Sequence, residues 1–282
     1  MHLLRTRAYV PARPFWGSLT AELTRRLGSL DYSKVGEFLK NVMRFSYLYI
    51  FSGDKMYMPR YTEEGLKFGD LTQTEFEKRF ISSLASTSIE PHSLTAEEGT
   101  LHEVEFICPY EICEKMEKPR PVFLKGLLWV SEGSKEELRV QIGENNFSIA
   151  NGKTEIMFSD LANTLQVGGE RKYGFGQLRL KDLRKIEDRN LENLGFKGRW
   201  EETGSGVSIE LEKNEFIWSH AEYNPKLEIK GDIEPIIGRD WGKEGAGREL
   251  KAHGLCWVPG SVLMKDTKFI ITEKFGIWKA IF

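Results

Sequence analysis

Four glycines fall within ten positions in Val167-Gly168-Gly169-Glu170-Arg171-Lys172-Tyr173-Gly174-Phe175-Gly176. Glycine is costly inside a helix and leaves a strand nothing to pack, so neither element runs through such a stretch. It reads as a loop set between two patterned segments. Upstream, Met157, Leu161 and Leu165 form an i, i+4 row with Phe158 and Ala162 beside it, which predicts a helix over 154–166. Downstream, Gln177-Leu178-Arg179-Leu180 predicts a strand. Loops of this kind expose backbone N–H groups that gather anions. Arg171 and Lys172 add charge suited to phosphate, and Tyr173 and Phe175 offer flat faces to bases. The plainer alternative is a turn whose aromatics pack into the core.

The rest of the first half obeys the same helix-and-strand logic. Leu4, Thr6, Ala8 and Val10 alternate with Leu3, Arg5, Arg7 and Tyr9, predicting a strand over 3–10 that Pro11 and Pro14 stop. Trp16, Leu19, Leu23 and Leu27 then recur at helical spacing, and Gly28 supplies a stop. Phe45, Tyr47, Tyr49 and Phe51 alternate ahead of Ser52-Gly53-Asp54-Lys55, and Met56, Tyr57 and Met58 return, which predicts a hairpin over 41–60. Phe76 and Phe80 mark a short helix at 72–85. Further strands are expected at 104–108 and 122–130. The acidic segment 61–120 reads as an insertion. With an insertion at about 60–150 set aside, the elements run βαββαβ, a ferredoxin-like α+β arrangement for residues 1–185. Residues 186–282 are richer in short alternating strands: 206–211, 215–219, 227–230, 254–258, 269–272 and 277–282. They predict a β-rich C-terminal domain, with a second ferredoxin-like fold as one form of it, beyond a boundary in the charged stretch 183–198.

Composition narrows the function classes. A chain of 282 residues with 40% hydrophobic residues can bury one large core or two modest ones. No stretch reaches the ~20 apolar residues of a membrane span, and the N-terminus lacks a signal-peptide core. A soluble cytoplasmic protein is expected. Cys108, Cys113 and Cys256 suit a reducing compartment and buried thiols better than a disulfide framework. No metal site and no cofactor is expected; Walker, dinucleotide, Gly-x-Ser-x-Gly and His-Glu-x-x-His signatures are all missing. The net charge of −2 conceals segregation. Residues 1–27 carry five arginines against Glu22, while 97–117 carry seven glutamates against Lys115. One basic face and one acidic edge are implied.

The loop Gly168–Gly176 in this context resembles the RAMP superfamily, the RNA-binding subunits of CRISPR–Cas antiviral complexes. The entry Pro14-Phe15-Trp16-Gly17-Ser18-Leu19 is similar to the family's opening. Val258-Pro259-Gly260-Ser261-Val262 is similar to the end of the branch that caps the 5′ handle of guide RNA in type III effector complexes. The resemblance leaves out about 60–150 and the middle of the second half. It implies a non-catalytic subunit with CRISPR guide RNA and the other effector-complex subunits as partners. The slight net acidity departs from the family's backbone-forming members.

The RNA-binding candidates are then Gly168, Gly169, Arg171, Lys172, Tyr173, Gly174, Phe175 and Gly176 in the loop. Arg5, Arg7 and Arg13 on or just after the first strand are expected to project beside it. Arg239, Lys243 and Arg248, in a second glycine cluster over 238–248, form a further patch. Two other readings stay open. One is a metal-independent endoribonuclease of the same superfamily, for which His220 near Tyr223, or His92 near Ser93, would be the acid–base candidate. The other is a protein–protein scaffold.

Overall fold

A computed structural model describes residues 2–28, 31–112, 118–204, 206–242 and 245–282. Cys113 and Lys243 lie outside them. The fold is mixed α/β, with mostly short strands in many sheets and few helices. Two compact units emerge: residues 1–10 with 49–125, and residues 11–48 with 126–282. The cuts fall at 10/11, 48/49 and 125/126, and the charged stretch 183–198 lies inside the second unit.

The first unit centres on Ile50, Tyr57, Phe68, Phe76 and Phe80. Phe68 and Phe76 stack with ring centroids 4.2 Å apart. The helix Gln73–Phe80 starts where Thr72 and Glu75 form a reciprocal capping box, and it buries only Phe76 and Phe80. Of the hairpin expected over 41–60, Leu48–Ser52 and Lys55–Tyr57 pair, turning at Gly53 and Asp54, both in the left-handed region, while Met43–Phe45 is a separate strand paired with Leu128–Val130. The strand expected over 3–10 is instead two short strands, His2–Leu4 and Tyr9–Val10. The first pairs in parallel with His102–Ile107 and the second joins the sheet containing Leu48–Ser52. Serving two sheets, the chain leaves its ladder between them.

In the second unit the helix Ala12–Leu27 buries Trp16, Leu19, Leu23 and Leu27, and the left-handed Gly28 closes it. A second helix, Tyr32–Val42, comes directly after; its apolar residues Val35, Phe38, Leu39 and Val42 were not recognised as a stripe in the sequence. The helices meet where Trp16 Nε1 donates to the Gly36 carbonyl at 3.2 Å. Seven strands form the largest sheet, in the order Arg199–Thr203, Gly206–Leu211, Thr267–Ile271, Trp278–Ile281, Ala221–Glu222, Gly245–Trp257, Ile233–Gly242. Trp218 packs edge-on against Trp278 of this sheet, with Phe196 and Phe269 around them.

Three expectations here need correction. Residues 154–166 are not one helix: Glu155–Met157 is a strand paired to Phe147–Ala150, and only Phe158–Ala162 is helical. The ladder claims the first residues because Phe158 stacks on Phe147 at 4.6 Å, anchoring the turn. Residues 177–182 form no strand; a single bridge links Gln166 and Gln177. Residues 215–219 are likewise irregular, held by a bridge from Phe216 to Val262 and by the Ile217 amide on Ser261 O. The strands of residues 2–182 sort into several small sheets, and the helices Ala12–Leu27 and Tyr32–Val42 stand where a single helix was expected.

Candidate nucleic-acid interface

The glycine loop is built on a stem tied to the helix Ala12–Leu27. Leu161, Leu165 and Val167 are buried beneath it. The Gln166 amide donates to Ser18 Oγ at 3.1 Å, and Thr164 Oγ1 donates to Glu22 Oε1 at 2.8 Å. Arg26 donates to Thr164 Oγ1 and to the Asp160 carbonyl. Burial pushes the Glu22 carboxyl up, but hydrogen bonds from Arg25, Arg26 and Thr164 outweigh it and hold the group down at about 2. The carboxylate thus stays ionised and keeps the stem pinned.

Two bonds close the neck of the loop: the Val167 amide to the Gly176 carbonyl at 2.8 Å and the Leu178 amide to the Leu165 carbonyl at 2.9 Å. Gly176 is indispensable to this closure, with φ +79° and a Cβ position that would run into the Val167 carbonyl. Inside, the Gln166 side-chain amide donates to the carbonyls of Arg171 and Phe175 at 2.8 and 2.9 Å. Glu170 is left-handed at φ 49°, and a tight turn over Arg171–Tyr173 comes next. A left-handed residue ahead of such a turn aims successive N–H groups into one concavity. Among the described residues, the backbone amides of Gly168, Gly169, Glu170, Arg171 and Lys172 make no backbone hydrogen bond. Arg171 and Lys172 are exposed, and the Tyr173 ring is 67% exposed. Gly168, Gly169 and Gly174 face open space. Phe175 is half-buried. The core does not absorb the loop; it presents amides, two cations and one aromatic face to solvent.

The other candidates are placed differently. Arg5 and Arg7 are exposed but belong to the first unit, whereas the loop and Arg13 belong to the second. Arg7 bonds the Tyr9 hydroxyl at 3.3 Å. Arg13 is committed within the chain: Nη1 lies 2.6 Å from His253 Nε2, Nη2 donates to the Arg239 carbonyl at 2.8 Å, Asp240 is 3.7 Å away, and the guanidinium lies over Phe275. It acts as a clamp on the strand Ile233–Gly242. Burial lowers the His253 pKa, and the Arg13 and Lys251 charges lower it further, so the ring is neutral and accepts from Arg13. Arg13 and Arg171 nevertheless share a neighbourhood. Burial raises the Tyr32 pKa, Asp240 raises it too, and both arginines oppose the rise. Arg239 and Arg248 are exposed strand residues of the hairpin Ile233–Gly242/Gly245–Trp257, not members of a loop. Lys243 lies outside the described residues.

His220, the nuclease candidate, is 1% exposed. Its Nδ1 lies 2.6 Å from the hydroxyl of Tyr47, not Tyr223, and its Nε2 lies 2.6 Å from Glu234 Oε1. Among the described residues no group of three or more His, Cys, Asp or Glu side chains could hold a metal, and no helix is long and apolar enough to cross a membrane. Cys108 and Cys256 are free and buried; burial, then the Glu222 and Glu234 charges, push the Cys256 thiol up to about 11.

Gln166, Ser18, Glu22 and Thr164 were not anticipated as loop supports. Ser18 and Glu22 lie more than 140 positions from their partners, and no local spacing signals such contacts.

No protein-family model matches the chain, and no curated protein matches it. Among solved structures, it is similar to a chain of a type III-B Cmr-beta complex bound to cognate target RNA. That similarity has 12% identity and a TM-score of 0.49, covering 92% of this chain and 76% of that one. A chain of the same complex bound to cognate target RNA and AMPPnP gives 11% identity and a TM-score of 0.45, covering 88% and 76%. At TM-scores below 0.5 neither likeness assigns a family.

Proposed function

We propose that this chain is a non-catalytic subunit of a type III CRISPR effector complex that holds guide RNA through residues 168–176. One observation carries the proposal: the loop that resembles the RAMP motif is exposed, with backbone amides making no backbone hydrogen bond beside Arg171, Lys172 and an open Tyr173 ring. Phosphate oxygens would take the amides and cations, and a splayed base would stack on Tyr173. The ferredoxin-like reading of residues 1–185 and the handle-capping branch come with the resemblance and belong to the same proposal. The non-catalytic part rests on both acid–base candidates: His220 is sealed from solvent between Tyr47 and Glu234, and Ser93, beside exposed His92, bonds Glu90 and Thr95.

The test is incubation of the purified protein with CRISPR repeat RNA in EDTA and then a gel-shift assay. Salt-dependent binding without cleavage is expected. Arg171→Glu with Lys172→Glu should weaken binding at least tenfold without lowering the melting temperature. Unchanged binding by that variant rejects the loop clamp, and specific cleavage abolished by His220→Ala rejects the non-catalytic role.

A second reading, a protein–protein scaffold, is favoured by one face of the hairpin Ile233–Gly242/Gly245–Trp257. Ile233, Ile237, Leu250 and Leu255 are exposed there, beside exposed Tyr223. Stable co-purification with other subunits and no RNA binding would select it.

A further inference from the structure

The chain leaving the loop, residues 177–189, is irregular and belongs to no sheet beyond a single bridge at Gln177. Its pattern is two-sided. Leu178, Leu180, Leu183 and Ile186 are half-buried, while Arg179, Lys181, Arg184, Lys185 and Arg189 are exposed. The apolar residues hold the segment down and leave the cations in water. The ends are fixed by the Leu178 amide on Leu165 O, the Leu180 amide on Asn163 Oδ1 at 3.1 Å, and the Trp200 amide on Arg189 O at 3.0 Å.

Three carboxylates, Asp182, Glu187 and Asp188, accompany the five cations. Arg184 pairs with Asp182 at 4.0 Å and Lys185 with Glu187 at 3.5 Å, all four groups well exposed. Such pairs are worth little and yield readily to a phosphate. Arg179 and Lys181 form no ion pair among the described residues. In a protein of net charge −2, loop and segment together carry seven cations against four carboxylates over 168–189.

We infer that residues 177–185 form a track for single-stranded RNA, continuing the path of a strand held at the loop. This rests on the RNA-binding reading of residues 168–176. Nine residues reach at most about 30 Å, room for several nucleotides beyond the loop. A single strand is favoured over a duplex because the adjoining Tyr173 ring can stack only on a base outside a helix.

The experiment is fluorescence anisotropy of the full chain with 5′-fluorescein oligouridylates of 4 and 12 nucleotides, from 50 to 300 mM KCl in EDTA. The longer oligomer should bind at least tenfold more tightly. Neutralising Arg179, Lys181, Arg184 and Lys185 to glutamine should remove that advantage and leave the tetramer's affinity unchanged. It should also flatten the salt dependence for the dodecamer by about 0.7 per lost contact. Neutralising Arg171 and Lys172 should weaken both oligomers. A track variant with wild-type dodecamer affinity and slope overturns the track and leaves the loop proposal standing. Equal loss for both oligomers also overturns it, because the four residues would then act on the loop. No binding of either oligomer by the wild type overturns the loop proposal, and the track with it.

Discussion

Gly174 and Gly176 look interchangeable in the sequence, and the structure separates them. Both have positive φ, +89° and +79°, but a side chain at 174 meets open space while one at 176 meets the Val167 carbonyl across the neck. Strain alone acts at the first position; strain and collision act at the second. Gly176→Val should therefore lower the melting temperature clearly more than Gly174→Val, and thermal denaturation of the two variants checks the order. Glu22 offers a second residue-level prediction. Its folded pKa of about 2 lies below the unfolded value of about 4.3, so the stabilisation it supplies is present above about pH 4.5. Stability must then fall as pH drops from that value toward 2. Glu22→Gln should be less stable at pH 7 and show a shallower decline, by about 1 kcal/mol given the solvent screening at this site. Urea denaturation at pH 7, 4 and 3 reads both effects, and parallel pH profiles for the two proteins would contradict them.

Elements were legible in the sequence where one face met one core. The helix Ala12–Leu27 shows its stripe and its glycine stop in the residues, and the hairpin at 48–57 shows its alternation and its turn. The helix Tyr32–Val42 carries local signals too, the i, i+3, i+4, i+7 stripe Val35, Phe38, Leu39 and Val42 and the Asp31 cap at the Ser33 amide; what no local signal explains is Gly36 inside it. That glycine is where Trp16 approaches, and a Cβ there would sit 2.7 Å from the indole. Long-range packing decided the residue, and no local rule reports it. Gly36→Ala should accordingly destabilise, by about 1–3 kcal/mol for an overpacked site, despite the better helix propensity of alanine. Equal or greater stability in urea would show that Trp16 moves aside freely. The loop itself was legible as a loop, with Arg171, Lys172 and Tyr173 outward. Its supports were not, since Ser18 and Glu22 reach it only through the tertiary fold.

At the scale of the molecule, two kinds of surface coexist in the second unit, and they call for different partners. The loop and the track offer cations in a protein whose net charge is −2, so any polyanion is bound locally and not by a general field. The strand Ile233–Gly242 ends the seven-stranded sheet, and beside exposed Arg239 it presents apolar residues: Ile237 is 62% exposed and Leu250, on the neighbouring strand, 66%. Pro235 removes one donor from this edge strand, and Arg13 occupies the Arg239 carbonyl. The ladder is thus partly blunted against strand addition, which leaves side-chain contact with a protein face as the use for its apolar residues. Ile237→Asp with Leu250→Asp removes apolar area without touching the core. Such exposed changes should shift folding stability by no more than about 0.5 kcal/mol per site. They should cost the chain its co-purification with neighbouring subunits while leaving oligouridylate affinity unchanged. Pull-down from cells expressing the native assembly, set beside anisotropy of the isolated variant, separates the two surfaces. Retained co-purification would show that this face is not where protein partners bind, and lost RNA affinity would show that the two surfaces are not independent.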